Sequence, residues 1–293
     1  MALENKIDFK VVFAVKAANP NGDPLNGNRP RQTSDGYGEV SDVALKRKIR
    51  NRLQDMYHEG EIASDIFVQS ADRADDGYKS LKDRAEGDDE LKKAMKNHDE
   101  KTIAEIAEKK WIDVRSFGQI FAFKKTNNNN EKNGLSVGVR GPVSIQTARS
   151  ITPIMINEMQ IIKSVNSVTS DKKTPDTMGM KYSIDFAVYE FNGSINVQLA
   201  EKTGFTREDA DAIHKALETL FENDESASRP AGSMEVLRVY WWEHDNKLGK
   251  HSSAAMHRSV KVQPKNGEIM NNVDDVEFIE EPFDDVKEDV FRG

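Results

Sequence analysis

The chain contains no cysteine. A disulfide scaffold, thiolate-bound zinc and thiol catalysis are excluded together. No apolar run approaches the length needed to cross a membrane. Residues 1–9 carry three charges and no apolar stretch, so no secretory leader is expected and a soluble, cytoplasmic protein is. The phosphate-cradling patterns GxGxxG and Walker A are missing, as are HExxH and GxSxG. Neither an internal repeat nor a heptad series is present.

The 293 residues suffice for one large domain or two smaller ones. Mean hydropathy is −0.70. Yet 13 Phe, 6 Tyr and 3 Trp supply core material, so a modest core with long polar excursions is expected. Charge is unevenly placed. The net charge is −8, and residues 268–293 alone hold ten acidic residues against Lys287 and Arg292. The body therefore sums to zero, and the pI of 5.4 does not exclude a nucleic-acid partner.

Residues 7–15 alternate Phe9, Val11, Phe13 and Val15 on one face and read as a strand. The run NPNGDPLNGNRPR that follows is a loop rich in Asn-Gly pairs and proline. A helix is expected from Asp42 as its cap, with Val43, Leu45, Ile49, Leu53 and Met56 as an apolar stripe. Residues 60–110 read as an inserted, mostly helical or mobile subdomain, with helix from 88 to 110. Strand-like material returns at 115–123. Residues 163–181 form a polar excursion that suits a protruding hairpin. Ile184, Phe186 and Val188, the pair Asn192-Gly193, then Ile195, Val197 and Leu199 predict a hairpin turning at Asn192. Thr206 and Asp209 cap a helix over 206–221. Residues 234–242 and 259–263 read as strands. Trp241 and Trp242 must face opposite ways there, which leaves one of them as an interface candidate. The rest is an acidic tail, flexible in part. The fold class is α+β with polar insertions.

Catalytic signals are thin. His58, His98, His214, His244, His251 and His257 form no tight ligand pattern. His98-Asp99 and His244-Asp245 are the only hint of a metal-dependent nuclease. The acidic clusters lie in the insertion and the tail, where solvated surface is the plain reading. Basic residues are more informative. Lys46, Arg47, Lys48, Arg50 and Arg52 crowd one helix, where they cover much of the surface left by its apolar stripe. Arg29 and Arg31 sit on the loop before it, Arg140 and Arg149 flank a strand-like segment, and Lys163, Lys172, Lys173 and Lys181 decorate the excursion. Such groups bind phosphate without reading bases. Met178 and Met180 stand in the polar excursion as a base wedge, a subunit contact or a local pin.

Five segments in order carry a family resemblance. They are NPNGDPLNGNRPR after the first strand, SDVALKRKIRN, DVRSFGQIFA, VRGPVSIQTARS, and the block from TMGMKYSI through LAEKTGF. Together the series resembles the Cas-seven superfamily, the backbone subunit of type I CRISPR surveillance complexes (Cascade), in its subtype I-C (Csd) branch. The resemblance implies a modified RRM- or ferredoxin-like palm over residues 1–267, a finger-like insertion at 60–110, a protruding thumb at 163–181 and a separate acidic tail at 268–293. It implies a non-catalytic protein without cofactor or metal that binds CRISPR RNA and stacks with copies of itself. The guide bases stay free to pair with target DNA. Other Cascade subunits and a recruited helicase-nuclease would be further partners, and no membrane is involved. Carried onto this chain, the RNA contacts would be Asn21, Arg29, Arg31, Lys46, Arg47, Lys48, Arg50, Arg52, Arg140, Arg149, Lys172 and Lys173, with Met178 and Met180 against bases. A metal-dependent nuclease using His98 and Asp99, and an oligomer that assembles without nucleic acid, are the rival readings.

Overall fold

The computed structural model describes residues 1–123, 135–162, 178–267 and 269–293. Strand β1 (Ile7–Ala18) begins the fold. Two short strands, β2 (Gly22–Asp23) and β3 (Arg29–Pro30), close the proline-rich loop, and β4 (Tyr37–Val40) leads into helix α1 (Asp42–His58). Helices α2 (Leu81–Glu86), α3 (Asp89–Lys96), α4 (Glu100–Lys110) and α5 (Ile112–Phe117) follow, then the paired strands β5 (Gln119–Phe123) and β6 (Leu135–Val139). Next come β7 (Val143–Ile145), β8 (Ala148–Pro153), β9 (Ile156–Ile162) and the long β10 (Met178–Ile195). The chain continues through α6 (Val197–Thr203), α7 (Arg207–Glu218), β11 (Met234–Glu243), α8 (Ser253–Arg258), β12 (Val260–Pro264), β13 (Val276–Glu280) and β14 (Lys287–Arg292).

The main sheet runs β14-β11-β1-β10-β8-β4, with β7 and β9 also pairing along β10. β1 lies inside it and is buried on both faces. Phe9, Val11, Phe13 and Val15 join Leu45, Ile49, Leu53 and Met56 of α1 and Ala210, Ile213 and Leu217 of α7 in the largest core. Val12 and Ala14 point the other way, onto Val188, Leu237, Met270 and Val276. The alternation read from sequence thus marks one face, and β1 is apolar on the second as well.

Residues 60–110 contribute to a second core. Phe67, Ala85, Leu91, Ile103, Ala107 and Trp111 pack with Val114, Phe121, Val137 and Val139. The helix expected over 88–110 is two helices, broken where His98 takes φ 54°. Residues 112–117 are helical, and strand begins only at Gln119.

Four further expectations are corrected. No hairpin turns at Asn192-Gly193. β10 runs straight through to Ile195, and 197–203 is helix α6, capped by the Asn196 side chain. Gly193 serves packing instead. A Cβ there would stand 2.1 Å from Phe9 Cζ and 2.6 Å from the Ser144 carbonyl oxygen. Helix α1 is capped by Ser41, whose Oγ accepts from the Ala44 N–H, and Asp42 is its first residue. The acidic C-terminal stretch is part of the fold, not a separate tail. β14 pairs with β11 and β13 with β12, because the second sheet face needs a cover. Tyr240 and Trp242 face that cover beside Met256, Val260 and Val286. Trp241 points to the opposite core, so both tryptophans are buried and neither is a surface contact.

Candidate nucleic-acid interface

The basic residues of α1 are not a solvent-facing set. Lys46 pairs with Asp42 at 3.0 Å on its own helix. Arg47 donates to the Val68 carbonyl at 2.7 Å. Lys48 is 5% exposed, ion-paired to Asp224 and set over the Phe221 ring. Arg50 donates to Asp113 at 2.8 Å. Arg52 donates to Thr219 Oγ1 at 2.9 Å and lies 3.5 Å from Glu59 and 3.7 Å from Glu222. The expected exposed basic surface is therefore corrected: each long side chain folds back to an oxygen supplied by the protein. Burial pulls the Lys48 ammonium below its usual range, partly offset by Asp224. Burial likewise lowers Arg47, with Arg50 adding to the effect. Arg47 and Arg50 tie the helix to the second core, and Lys48 and Arg52 tie it to residues 219–224.

A different set of arginines gathers at the β4 end of the sheet. Asn21 organises it. Its backbone oxygen accepts from the Arg31 N–H and its Oδ1 from the Ser41 N–H, both at 3.0 Å. One residue thereby fixes both the loop and the start of α1. Arg29 is held by Glu158 of β9 at 2.5 Å and stacks over the Tyr182 ring of β10 at 4.6 Å. Arg31 reaches Asp23 at 3.5 Å, and its Nε has no partner. Arg149 pairs with Asp35 at 2.7 Å and lies over the Tyr37 ring at 4.6 Å. Glu39 of β4 sits opposite Arg149 and donates its N–H to the Arg31 carbonyl, so the two arginines flank one short strand. These pairs are exposed enough for a phosphate to compete with the carboxylate. A guanidinium on an aromatic face keeps its donors at the rim free.

Beside this edge, β9 and β10 form a two-stranded ribbon. Met178 opposes Ile162, Met180 opposes Gln160 and Tyr182 opposes Glu158. Met178 is 63% exposed and Met180 47%. Lys181 is exposed on the other face, opposite Met159. Lys163, Lys172 and Lys173 lie outside the described residues. Arg140 is exposed where the β6–β7 turn crosses the α5–β5 turn. The tyrosines beneath the arginines were missed from sequence. Tyr37 and Tyr182 lie in strands of ordinary pattern, and only the pairing brings them to Arg149 and Arg29.

The rival catalytic groups are used structurally. Asp99 caps α4 by accepting from the Thr102 N–H at 3.1 Å. His244 is buried, with Nε2 2.9 Å from Asp8 and Nδ1 accepting from the Lys250 N–H. His251 stacks on Phe283 and meets Asp285, and His257 reaches the Gly193 carbonyl. Among the described residues, no group of three or more His, Asp or Glu could hold a metal ion. No described helix is long and apolar enough to cross a membrane.

A cleft of about 370 Å³ separates α4 from the α6–α7 turn, lined in part by Glu105, Glu108, Lys202 and the paired Arg115 and Asp209. Burial, with Glu105 adding to it, pushes the Glu108 carboxyl up to about 7.

A curated relative, the CRISPR-associated protein Cas7 of Haloferax volcanii, is 25% identical over 288 residues, spanning 94% of this chain and 81% of its own. Among solved structures, a chain of a CRISPR RNA-guided surveillance complex is 14% identical, with a TM-score of 0.44 over 81% of this chain and 68% of that one. A chain of such a complex in a pre-nicking state is 15% identical, with a TM-score of 0.49 over 87% and 84%. The family described as CRISPR-associated protein Cas7 matches residues 5–280, nearly the whole sheet and both cores. The chain belongs to the Cas7 family of CRISPR-associated proteins.

Proposed function

We propose that this chain is a non-catalytic backbone subunit that binds CRISPR RNA in a surveillance complex of subtype I-C. Copies of it line up along the guide, alongside other subunits of the complex, and leave the bases to pair with target DNA. A helicase-nuclease recruited by the assembly does the cutting. Strand order β11-β1-β10-β8, with α1 after β1 and α7 before β11, supports reading the sheet as a ferredoxin-like palm. The second core is the finger, and the β9–β10 ribbon is the base of the thumb.

The observation that carries this reading is the arginine edge. Arg31 and Arg149 flank β4 and Arg29 lies on the neighbouring β9–β10 ribbon, two of the three over tyrosine rings, and that ribbon carries exposed methionines. A guide protein must hold unrelated spacer sequences. Contacts to phosphate and sugar do that, since pairing reads the bases. In this reading Lys46 adds a contact from the first turns of α1, and its more buried neighbours hold that helix in place. Arg140 serves a second, separate stretch of backbone.

The test is to co-express the chain with a repeat-spacer array and its companion subunits and to sequence the RNA that purifies with it. A uniform repeat-spacer RNA in a large assembly is expected. A nucleic-acid-free assembly of the same size, or RNA degraded in Mg²⁺ by the chain alone, contradicts the reading.

A further inference from the structure

Among the described residues, the most exposed large apolar side chain is not on the ribbon. Leu25 is 99% exposed at the tip of the loop between β2 and β3. Single exposed leucines are ordinary. This one is presented by a loop closed at several points. Pro24 opens a 3₁₀ turn over Pro24–Asn26, and the Asp23 side chain accepts from the Leu25 N–H at 3.3 Å. The Asn28 N–H returns to the Asp23 carbonyl at 2.8 Å, and Asn19 Nδ2 donates to the Asn28 carbonyl at 2.8 Å. Gly27 supplies the φ of 59° that the turn requires. Little entropy remains to be lost when something binds the tip.

Its surroundings specify the partner. Arg29 begins β3 as the loop ends and Arg31 directly follows that strand, and Arg29 rests on the Tyr182 ring. Met180 and Met178 share a face of β10 with Tyr182, by the two-residue period. A Cβ at Gly27 would stand 4.0 Å from the Tyr182 hydroxyl, so the loop meets the Tyr182 end of the ribbon face that carries the exposed methionines, with guanidinium groups at its root. Apolar surface next to cations matches a nucleotide, whose base is apolar on its face and whose phosphate is anionic.

We propose that Leu25 packs against the face of a nucleobase of the bound RNA, as an apolar wedge next to Met180 and Met178. The inference rests on the RNA-binding reading above. Leu25 fixes where a base sits, and Arg29 and Arg31 hold the phosphate linked to it.

Fluorescence tests it cleanly, because Trp111, Trp241 and Trp242 are all buried, at 4%, 4% and 1% exposed. In the full-length Leu25→Trp variant, residue 25 is the accessible indole. Saturating unstructured single-stranded RNA should quench its emission and shield it from iodide. The Leu25→Ala variant should bind that RNA about three- to tenfold more weakly, with an unchanged salt slope because the arginines still hold the phosphates. RNA bound by Leu25→Trp with iodide access unchanged overturns the wedge. So does shielding that grows with protein concentration alone, which marks a protein interface. Failure of the unmodified chain to bind RNA at all is a separate result, and it removes the functional reading along with the wedge.

Discussion

Arg50 Nε donates to Asp113 Oδ2 at 2.8 Å, and this contact joins the basic helix to the second core. Asp113 is fully buried and also accepts from the backbone N–H groups of Phe67 and Val68, at 2.6 and 3.1 Å. The guanidinium lies over the Phe117 ring at 5.0 Å. A phosphate competing for Arg50 would have to leave a buried carboxylate without its cation.

Arg50→Ala should therefore cost about 3 kcal/mol of stability, the usual effect of removing one partner of a largely buried ion pair. Urea unfolding measures it. A change below about 1 kcal/mol would mean the pair is as weak as an exposed one.

Gly193→Ala tests the straight path of β10. The added carbon meets the Phe9 ring and the Ser144 carbonyl oxygen, and the latter is backbone that cannot rotate away. A destabilisation of about 1–3 kcal/mol is expected, toward the upper end. A neutral result in chemical denaturation would show that the strand has room there.

Truncation after residue 267 should expose Tyr240 and Trp242. Trp242 Nε1 donates to Glu288 and the Tyr240 hydroxyl to Glu280, each at 2.6 Å. The shortened chain should melt at lower temperature, bind a hydrophobic dye and show red-shifted tryptophan emission. An unchanged melting temperature would make the acidic stretch an appendage after all.

Glu108 gives a pH dependence with a definite sign. Its carboxyl is raised from 4.5 to about 7, so the folded state holds the proton more tightly than the unfolded chain. Its contribution is fully present below about pH 4.5 and is lost as pH rises through about 7. Glu108→Gln should leave the melting temperature unchanged near pH 4.5 and raise it by about 1–3 °C at pH 8, the group being only half-buried. Equal shifts at both pH values would exclude this titration as the cause.

Local signals were legible in the sequence, and partnerships across the fold were not. Thr206 and Asp209 announce the start of α7 because both halves of a capping box lie within four residues, and both bonds form. The apolar stripe of α1 was equally plain from Leu45 to Met56, whereas Val43, expected in it, is 67% exposed. The burial of Lys48, Arg50 and Arg52 was not, because Asp224, Asp113 and Thr219 come from distant segments. Asn192-Gly193 looks like a turn, but the ring of Phe9 decides what that glycine is for. The polar tail hid its role because its apolar residues, Val276, Phe278 and Val286 among them, are few and spread between carboxylates. For the interface, the arginines were visible and the tyrosines that carry them were not.

The most direct measurement is the affinity of the chain for two unrelated single-stranded RNAs across a range of salt, with and without Arg31→Ala and Arg149→Ala. Both RNAs should bind about equally well. Each substitution should weaken both alike and reduce the salt slope by about 0.7 for every phosphate no longer neutralised, with little change in melting temperature. Slopes and affinities that stay the same in the double variant would contradict an RNA track along the β4 edge.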